Sequence, residues 1–168
     1  AVKQIAEMKV DVPMLAMTHC DAAKLSKQHG KKAEYALCAS QWHKTLSYTD
    51  AFFKDGMTYD ADFKKAFGYA PPYQAAESSA ALLVFKDAFE RANDFDTKKV
   101  RNALAKTDMQ TFYGNIKFAK GGQNVSKPMV LFQVICNSDG SKCENKVVAP
   151  TKWASAKLVH PTPSWSKR

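Results

Sequence analysis

The sequence predicts an α/β fold, a parallel sheet flanked by helices and followed by a C-terminal β-hairpin. Three observations carry this reading. The first forty residues alternate segments of helical period with short continuous apolar runs, the pattern of parallel strands buried on both faces. A long helix opens after Pro71-Pro72 and is apolar on most of its sides, which predicts deep burial. The last third carries alternating and β-branched runs separated by turn residues, which predicts strands.

Taken in order, Ala1 to about Lys9 has helical spacing, with Val2, Ile5 and Ala6 on one side. A chain that opens inside a helix is expected to have lost something upstream. Met14-Leu15-Ala16-Met17 has the length of a buried strand, and Asp21 can cap a helix from Ala22 to about His29, ended by Gly30. Tyr35 to Ala39 is a second short apolar run. His43 to Tyr59 is polar and aromatic without period and reads as a connection. Asp60 to Phe67 is a short helix stopped by Gly68. The prolines at 71 and 72 suit the first turn of the long helix, which runs to about Ala92. Asp96 caps a further helix with Val100, Ala103 and Leu104 inside. Asn115-Ile116-Lys117-Phe118 alternates, 121–124 is a turn, Met129 to Ile135 is a strand, and Lys146 to Ala149 returns beside it. The tail from Pro150 has no period, and no internal repeat appears.

Composition narrows the function without deciding it. The chain has 168 residues, enough for one domain with a core, and no apolar run approaches the roughly 18 residues of a membrane span. The net charge of +9 comes from scattered lysines, with pairs only at Lys31-Lys32, Lys64-Lys65 and Lys98-Lys99. None is interleaved with aromatics as a single-strand groove requires, so nucleic acid is not an expected partner. Cys136 and Cys143 close a turn-rich loop between two apolar runs, where facing cysteines of a hairpin come within disulfide reach. With Cys20 and Cys38 the count is even, which favours an oxidising compartment. Four reduced thiols remain the alternative, and a Cys20–Cys38 pair is a guess, because pairing does not follow from sequence.

Enzymatic readings find little support. His19 and Cys20 are neighbours whose side chains diverge in extended chain, so they make no nucleophile and base pair. Cys20, Cys38, His19 and His43 lack the C-x-x-C or H-x-x-x-H spacing of a zinc set. There is no Gly-rich phosphate loop and no dinucleotide fingerprint. No cofactor or metal is expected.

A series of segments then occurs in a telling order: Phe67-Gly68-Tyr69-Ala70-Pro71-Pro72-Tyr73-Gln74-Ala75-Ala76, Val100-Arg101-Asn102-Ala103-Leu104, Phe112-Tyr113-Gly114-Asn115-Ile116-Lys117-Phe118 and Gly122-Gln123-Asn124. The closing Val147-Val148-Ala149-Pro150 and His160-Pro161-Thr162-Pro163-Ser164-Trp165 follow. Together they resemble the C-terminal half of type I periplasmic solute-binding proteins of the branched-chain amino acid or amide ABC-transporter type. The resemblance covers nearly the whole chain, and family members are roughly twice as long. It implies an incomplete type I fold: 1–42 from the second lobe, 43–114 a crossover and first-lobe helical segment, and 115–168 the hinge return, β-hairpin and tail. It further implies a periplasmic location, a small-molecule solute held between lobes, an ABC permease as membrane partner, and an N-terminal half or second chain that completes the lobes. The alternative function is a fragment that acts as an interaction module with a second chain or its own copy.

Ligands of open α/β sheets bind outside the carboxyl ends of the strands. The first strand ends at Thr18-His19-Cys20-Asp21 and the second at Ser40-Gln41-Trp42-His43. His19, Asp21 and Trp42 are therefore candidate ligand contacts, the carboxylate for an amine and the indole as an apolar or cation–π wall. Tyr73 and Gln74, in the first turn of the long helix, are candidates where backbone N–H groups favour an anion. Each has a structural alternative: Asp21 as helix cap, His19 as a hydrogen-bonded loop residue, and Trp42, Tyr73 and Gln74 as packing.

Overall fold

The structure is a computed structural model and describes residues 1–18 and 22–167. His19, Cys20 and Asp21 lie outside the described residues. The helices are α1 (Val2–Glu7), α2 (Ala22–His29), α3 (Gly56–Phe67), α4 (Tyr73–Ala92) and α5 (Thr97–Leu104). The strands are β1 (Ala16–Met17), β2 (Leu37–Ser40), β3 (Thr49–Asp50), β4 (Lys54–Asp55), β5 (Asp108–Thr111), β6 (Gly114–Lys117), β7 (Val130–Cys136) and β8 (Cys143–Ala149). They fall into two units, one formed by Ala1–Ser40 with Met129–Arg168 and the other by Gln41–Pro128.

In the first unit the strand order is β1-β2-β7-β8. β1 and β2 are parallel, as their continuous apolar sequences predict, with Ala16 opposite Leu37. β7 then runs antiparallel to β2 and β8 antiparallel to β7, so the sheet is mixed. Val2 of α1, Ala33, Ala36 and Val134 form its buried core, with Leu15, Met17 and Leu25 packed against them. A polar residue sits in the middle of β7: Gln133 is fully buried. Its amide donates to the Tyr35 and Val159 carbonyls at 3.2 and 3.0 Å, and its carbonyl accepts from the Val159 N–H at 2.8 Å. Every strong group of the side chain is thus used, which makes its burial tolerable. The aperiodic tail is fixed in the same way. Thr162 N–H donates to the Pro13 carbonyl at 2.8 Å, and Trp165 donates from its backbone to Asp11 and from its indole to the Val10 carbonyl, each at 3.0 Å.

Cys136 and Cys143 are register partners at the turn end of the β7–β8 hairpin and form a disulfide. Cys38, buried in β2, is also disulfide-bonded; its expected partner Cys20 is among the residues not described. Replacing Cys136 and Cys143 together by serine removes the constraint on a short loop, and the loop-entropy relation puts the loss at about 2–3 kcal/mol. Urea unfolding with and without the pair measures it, with a drop in midpoint and little change in slope as the expected result.

In the second unit the segment read as a connection has structure of its own. β3 and β4 pair antiparallel, and Leu46 and Tyr48 are buried. α3 begins at Gly56, four residues before the predicted start, because Asp55 caps it: Thr58 N–H donates to the Asp55 carboxylate at 2.7 Å. Asp60 lies inside the helix, nearly buried, with Lys44 and Lys64 on its carboxylate at 3.1 and 2.6 Å. β5, absent from the sequence reading, pairs with β6 in a tight hairpin, so β6 belongs with β5 and not with the later strands.

α4 departs from expectation in a telling way. Its inner face, Ala76, Ala80, Val84 and Ala88, is buried, and the helix packs on α5. The opposite face is open: Leu82 is 70% and Phe85 46% exposed.

Candidate functional site

The helix start that the sequence singled out meets a group of residues that it did not. Tyr73, the first residue of α4, is half-buried, whereas Gln74 points outward and is exposed. One turn further along α4, Glu77 faces the same way as Tyr73. Both act on Tyr113, which sits in the two-residue turn between β5 and β6 and is 6% exposed. Burial first, then the Glu77 carboxylate and Tyr73, push the Tyr113 phenol well above its ordinary range, so it stays a neutral donor.

Lys127 completes the group. Its ammonium stands 4.3 Å from the centre of the Tyr113 ring and donates to the Gln41 carbonyl. Such a cation over a phenol face is attracted by the ring quadrupole. The stem of Lys127 lies so close to Gly114 that a Cβ there would stand 2.4 Å from its Cδ. Gly114 also has φ +148°, so glycine is required twice over at this turn. Burial lowers the Lys127 ammonium to about 8, with Glu77 pulling the other way. The cluster therefore offers a cation poised to titrate in the physiological range, a carboxylate and a phenol with its ring, all from one unit.

Trp42 is elsewhere. It is 5% exposed and lies edge-on to Tyr59 and Phe112, with ring centroids at 5.8 and 6.1 Å. It belongs to an aromatic core rather than to a surface presented to a ligand. Of the five residues proposed from sequence, the structure brings only Tyr73 into the cluster; Gln74 is beside it on the exposed side, and His19 and Asp21 lie outside the described residues. Glu77 was legible only as part of the long helix and Tyr113 only as part of the 112–118 segment, and Lys127 carried no reading. A signal for Lys127 existed in retrospect: it precedes Pro128 directly before a strand, a position that holds its backbone extended. Among the described residues no group of three or more His, Cys, Asp or Glu is placed to hold a metal ion.

A family model described as "Periplasmic binding protein" matches residues 1–141. This chain belongs to the periplasmic binding protein family. Solved structures of similar fold include a leucine binding protein from Thermotoga maritima, at 21% identity and a TM-score of 0.65 over 90% of this chain and 43% of that one. A Brucella ovis protein that binds leucine, isoleucine, valine, threonine and alanine, in a closed conformation, gives 16% identity and a TM-score of 0.70 over 96% and 43%. A branched-chain amino acid transporter substrate binding protein from Streptococcus pneumoniae, in complex with isoleucine, gives 15% and 0.61 over 87% and 40%. These similarities show the fold, a partial type I periplasmic-binding-protein architecture. The chain spans less than half the length of each of these binding proteins. No helix among its described residues is long and apolar enough to cross a membrane.

Proposed function

We propose that this chain is part of the solute-binding component of an ABC uptake system, located in the periplasm, and that it binds a small polar solute (an amino acid, amide or related acid) reversibly without chemical change. Membership of the periplasmic binding protein family supports the class. The observation that carries the chemistry is the Tyr73–Glu77–Tyr113–Lys127 cluster. Lys127 has the charge to receive a carboxylate and Glu77 the charge to receive an ammonium, and the buried Tyr113 ring lies under the Lys127 ammonium. Recognition by a few placed polar groups is usual for a small-molecule site. His19 and Asp21 remain proposed ligand contacts from the sequence, and a permease at the membrane would accept the solute.

A thermal-shift screen of amino acids, their amides and simple carboxylic acids tests this. One solute class is expected to raise Tm in a saturable manner, by the mass-action stabilisation that reaches about 2.7 kcal/mol at a hundredfold excess over Kd. Affinity for a carboxylate solute is expected to fall by about tenfold per pH unit above pH 8, as Lys127 loses its proton, and Lys127→Met is expected to abolish that dependence. Absence of a saturable shift with every class would overturn the reading. A flat pH profile would remove Lys127 from it.

A further inference from the structure

We propose that Asp50 is a positioning residue of the solute cluster: by holding the turn that carries Tyr113, it fixes the ring over which the Lys127 ammonium stands. Its part in solute capture rests on the receptor reading above; its part in placing the two side chains does not.

The cluster hangs on a turn that closes itself but does not locate itself. β5 and β6 are joined by Phe112 and Tyr113, with Thr111 opposite Gly114. The Thr111 hydroxyl donates to the Gly114 carbonyl at 2.9 Å and accepts the Gly114 N–H at 3.3 Å. Those bonds set the shape of the turn and leave open where it sits in the unit. The Phe112 N–H supplies that, donating at 2.6 Å to Oδ2 of Asp50, sixty-two positions away. The other carboxylate oxygen, Oδ1, accepts the N–H groups of Phe52 and Phe53 at 2.9 and 2.6 Å, the local pattern by which an aspartate builds a turn of its own. One carboxylate thus joins two turns, with one oxygen for each.

The joint ends next to the site. A hydrogen bond from a peptide N–H to a carboxylate is shorter and stronger than one between neutral groups, and this one lands on the residue directly before Tyr113. Tyr113 and Gly114 are both neighbours of Lys127: the ammonium is 4.3 Å from the ring centre, and the stem passes where a Cβ on Gly114 would stand. A displaced turn therefore moves both supports of the lysine at once.

The chemistry also requires a carboxylate rather than an amide. Both oxygens of Asp50 accept, whereas an asparagine has one acceptor oxygen and an NH2 group. In Asp50→Asn the oxygen can keep the local turn at Phe52 and Phe53, which leaves the NH2 facing the Phe112 N–H, donor against donor. A second tie between the same strands serves as the contrast. Gln110 donates from its side-chain amide to the Thr49 carbonyl at 2.9 Å, joining β3 to β5 without reaching the turn.

Proton NMR of the 168-residue chain carrying 13C-labelled lysine tests the proposal. The ε protons of Lys127, assigned with Lys127→Arg, lie over the Tyr113 ring and are expected upfield of those of the exposed lysines. In Asp50→Asn that signal is expected to join the others, and the affinity for a carboxylate solute to fall about tenfold, the worth of one hydrogen bond to a charged group. Gln110→Ala is expected to lower Tm and to leave the signal in place. Should Asp50→Asn not fold, Phe112 exchanged for its 2-hydroxy acid analogue removes the N–H and no side chain, and the same loss of the upfield shift is expected. An upfield signal retained in the folded variant, or lost equally in Gln110→Ala, would overturn the proposal. The signal is read without solute, so a screen that finds none removes the receptor reading alone. A solute found together with a retained signal removes Asp50 alone.

Discussion

Phe112→Ala is expected to lower the stability of the 41–128 unit by about 3–5 kcal/mol, the range for emptying a fully buried aromatic position. Phe112 is wholly inaccessible to solvent and packs against three aromatic rings. Tyr59 of α3 stacks on it at 4.3 Å, Phe53 of the β3–β4 hairpin is at 4.9 Å, and Trp42 meets it edge-on. Its backbone N–H donates to the Asp50 carboxylate at 2.6 Å, and Asp50 also receives the N–H groups of Phe52 and Phe53. A cavity at this point cannot collapse without moving all of these, so the expected loss lies at the upper end. Thermal unfolding followed by near-ultraviolet circular dichroism measures it, because the aromatic cluster generates that signal. Phe112→Leu is expected to recover part of the loss. A fall below about 1 kcal/mol for the alanine variant, the typical effect of an ordinary substitution, would mean that the ring is not the centre of the unit.

Stability is also expected to decline on the acid side of pH 6.5, well before the carboxylates titrate. Burial, then the neighbouring Lys44, lower the His43 imidazole from 6.5 to about 4, with Asp60 opposing them. Thr45 donates its N–H to His43 Nδ1 at 3.4 Å, and the Thr45 hydroxyl is 2.7 Å from the same nitrogen, so Nδ1 is an acceptor and the ring is neutral. In the unfolded chain the ring takes up a proton near pH 6.5, whereas in the folded chain it does so only near 4. The unfolded state therefore binds more protons in that window, and the stability present above pH 6.5 is lost as pH falls through 4, on the order of 3 kcal/mol in all. Asp55 is held below its ordinary range by the Thr58 hydrogen bonds. Asp60 is lowered as well: its burial alone would raise it, and the contacts with Lys64 and Lys44 outweigh that. Both act at still lower pH. Denaturant midpoints between pH 7 and 4.5 measure the effect. His43→Gln is expected to flatten the curve, and an unchanged slope in that variant would assign the acid sensitivity elsewhere.

How much of this was legible depended on range. Local signals located α2, the Asp96 cap of α5, the Gly68 stop of α3 and the β7–β8 hairpin with its disulfide, since each is set by residues within a few positions. The parallel pairing of β1 with β2 was legible because continuous apolar strands have few other fates. Polar residues that work at long range were hidden. Asp50 reads as a loop residue until Phe112 arrives from sixty-two positions away. Gln133 reads as a blemish in a strand until the tail folds over it. The candidate site was legible only at Tyr73. Lys127 and Tyr113 become a site through the turn at Gly114, whose missing side chain admits the lysine stem, and no periodicity reports such a contact. Deep burial of α4, expected from its apolar sides, is found for Ala76, Ala80, Val84 and Ala88, whereas Leu82, Phe85 and Phe89 on the other side are exposed.

The pairing of Ser40 with Val130 bears on how the two units could have been joined. The chain departs for the second unit at one end of β2 and returns directly opposite, one strand spacing away, so the whole of Gln41–Pro128 hangs from adjacent rungs of a single ladder. A break of that width can be spanned by a hairpin turn of a few residues. Excision of the second unit behind such a turn would leave the four-stranded sheet with its register intact, and a foreign module whose termini are equally close could be grafted in its place.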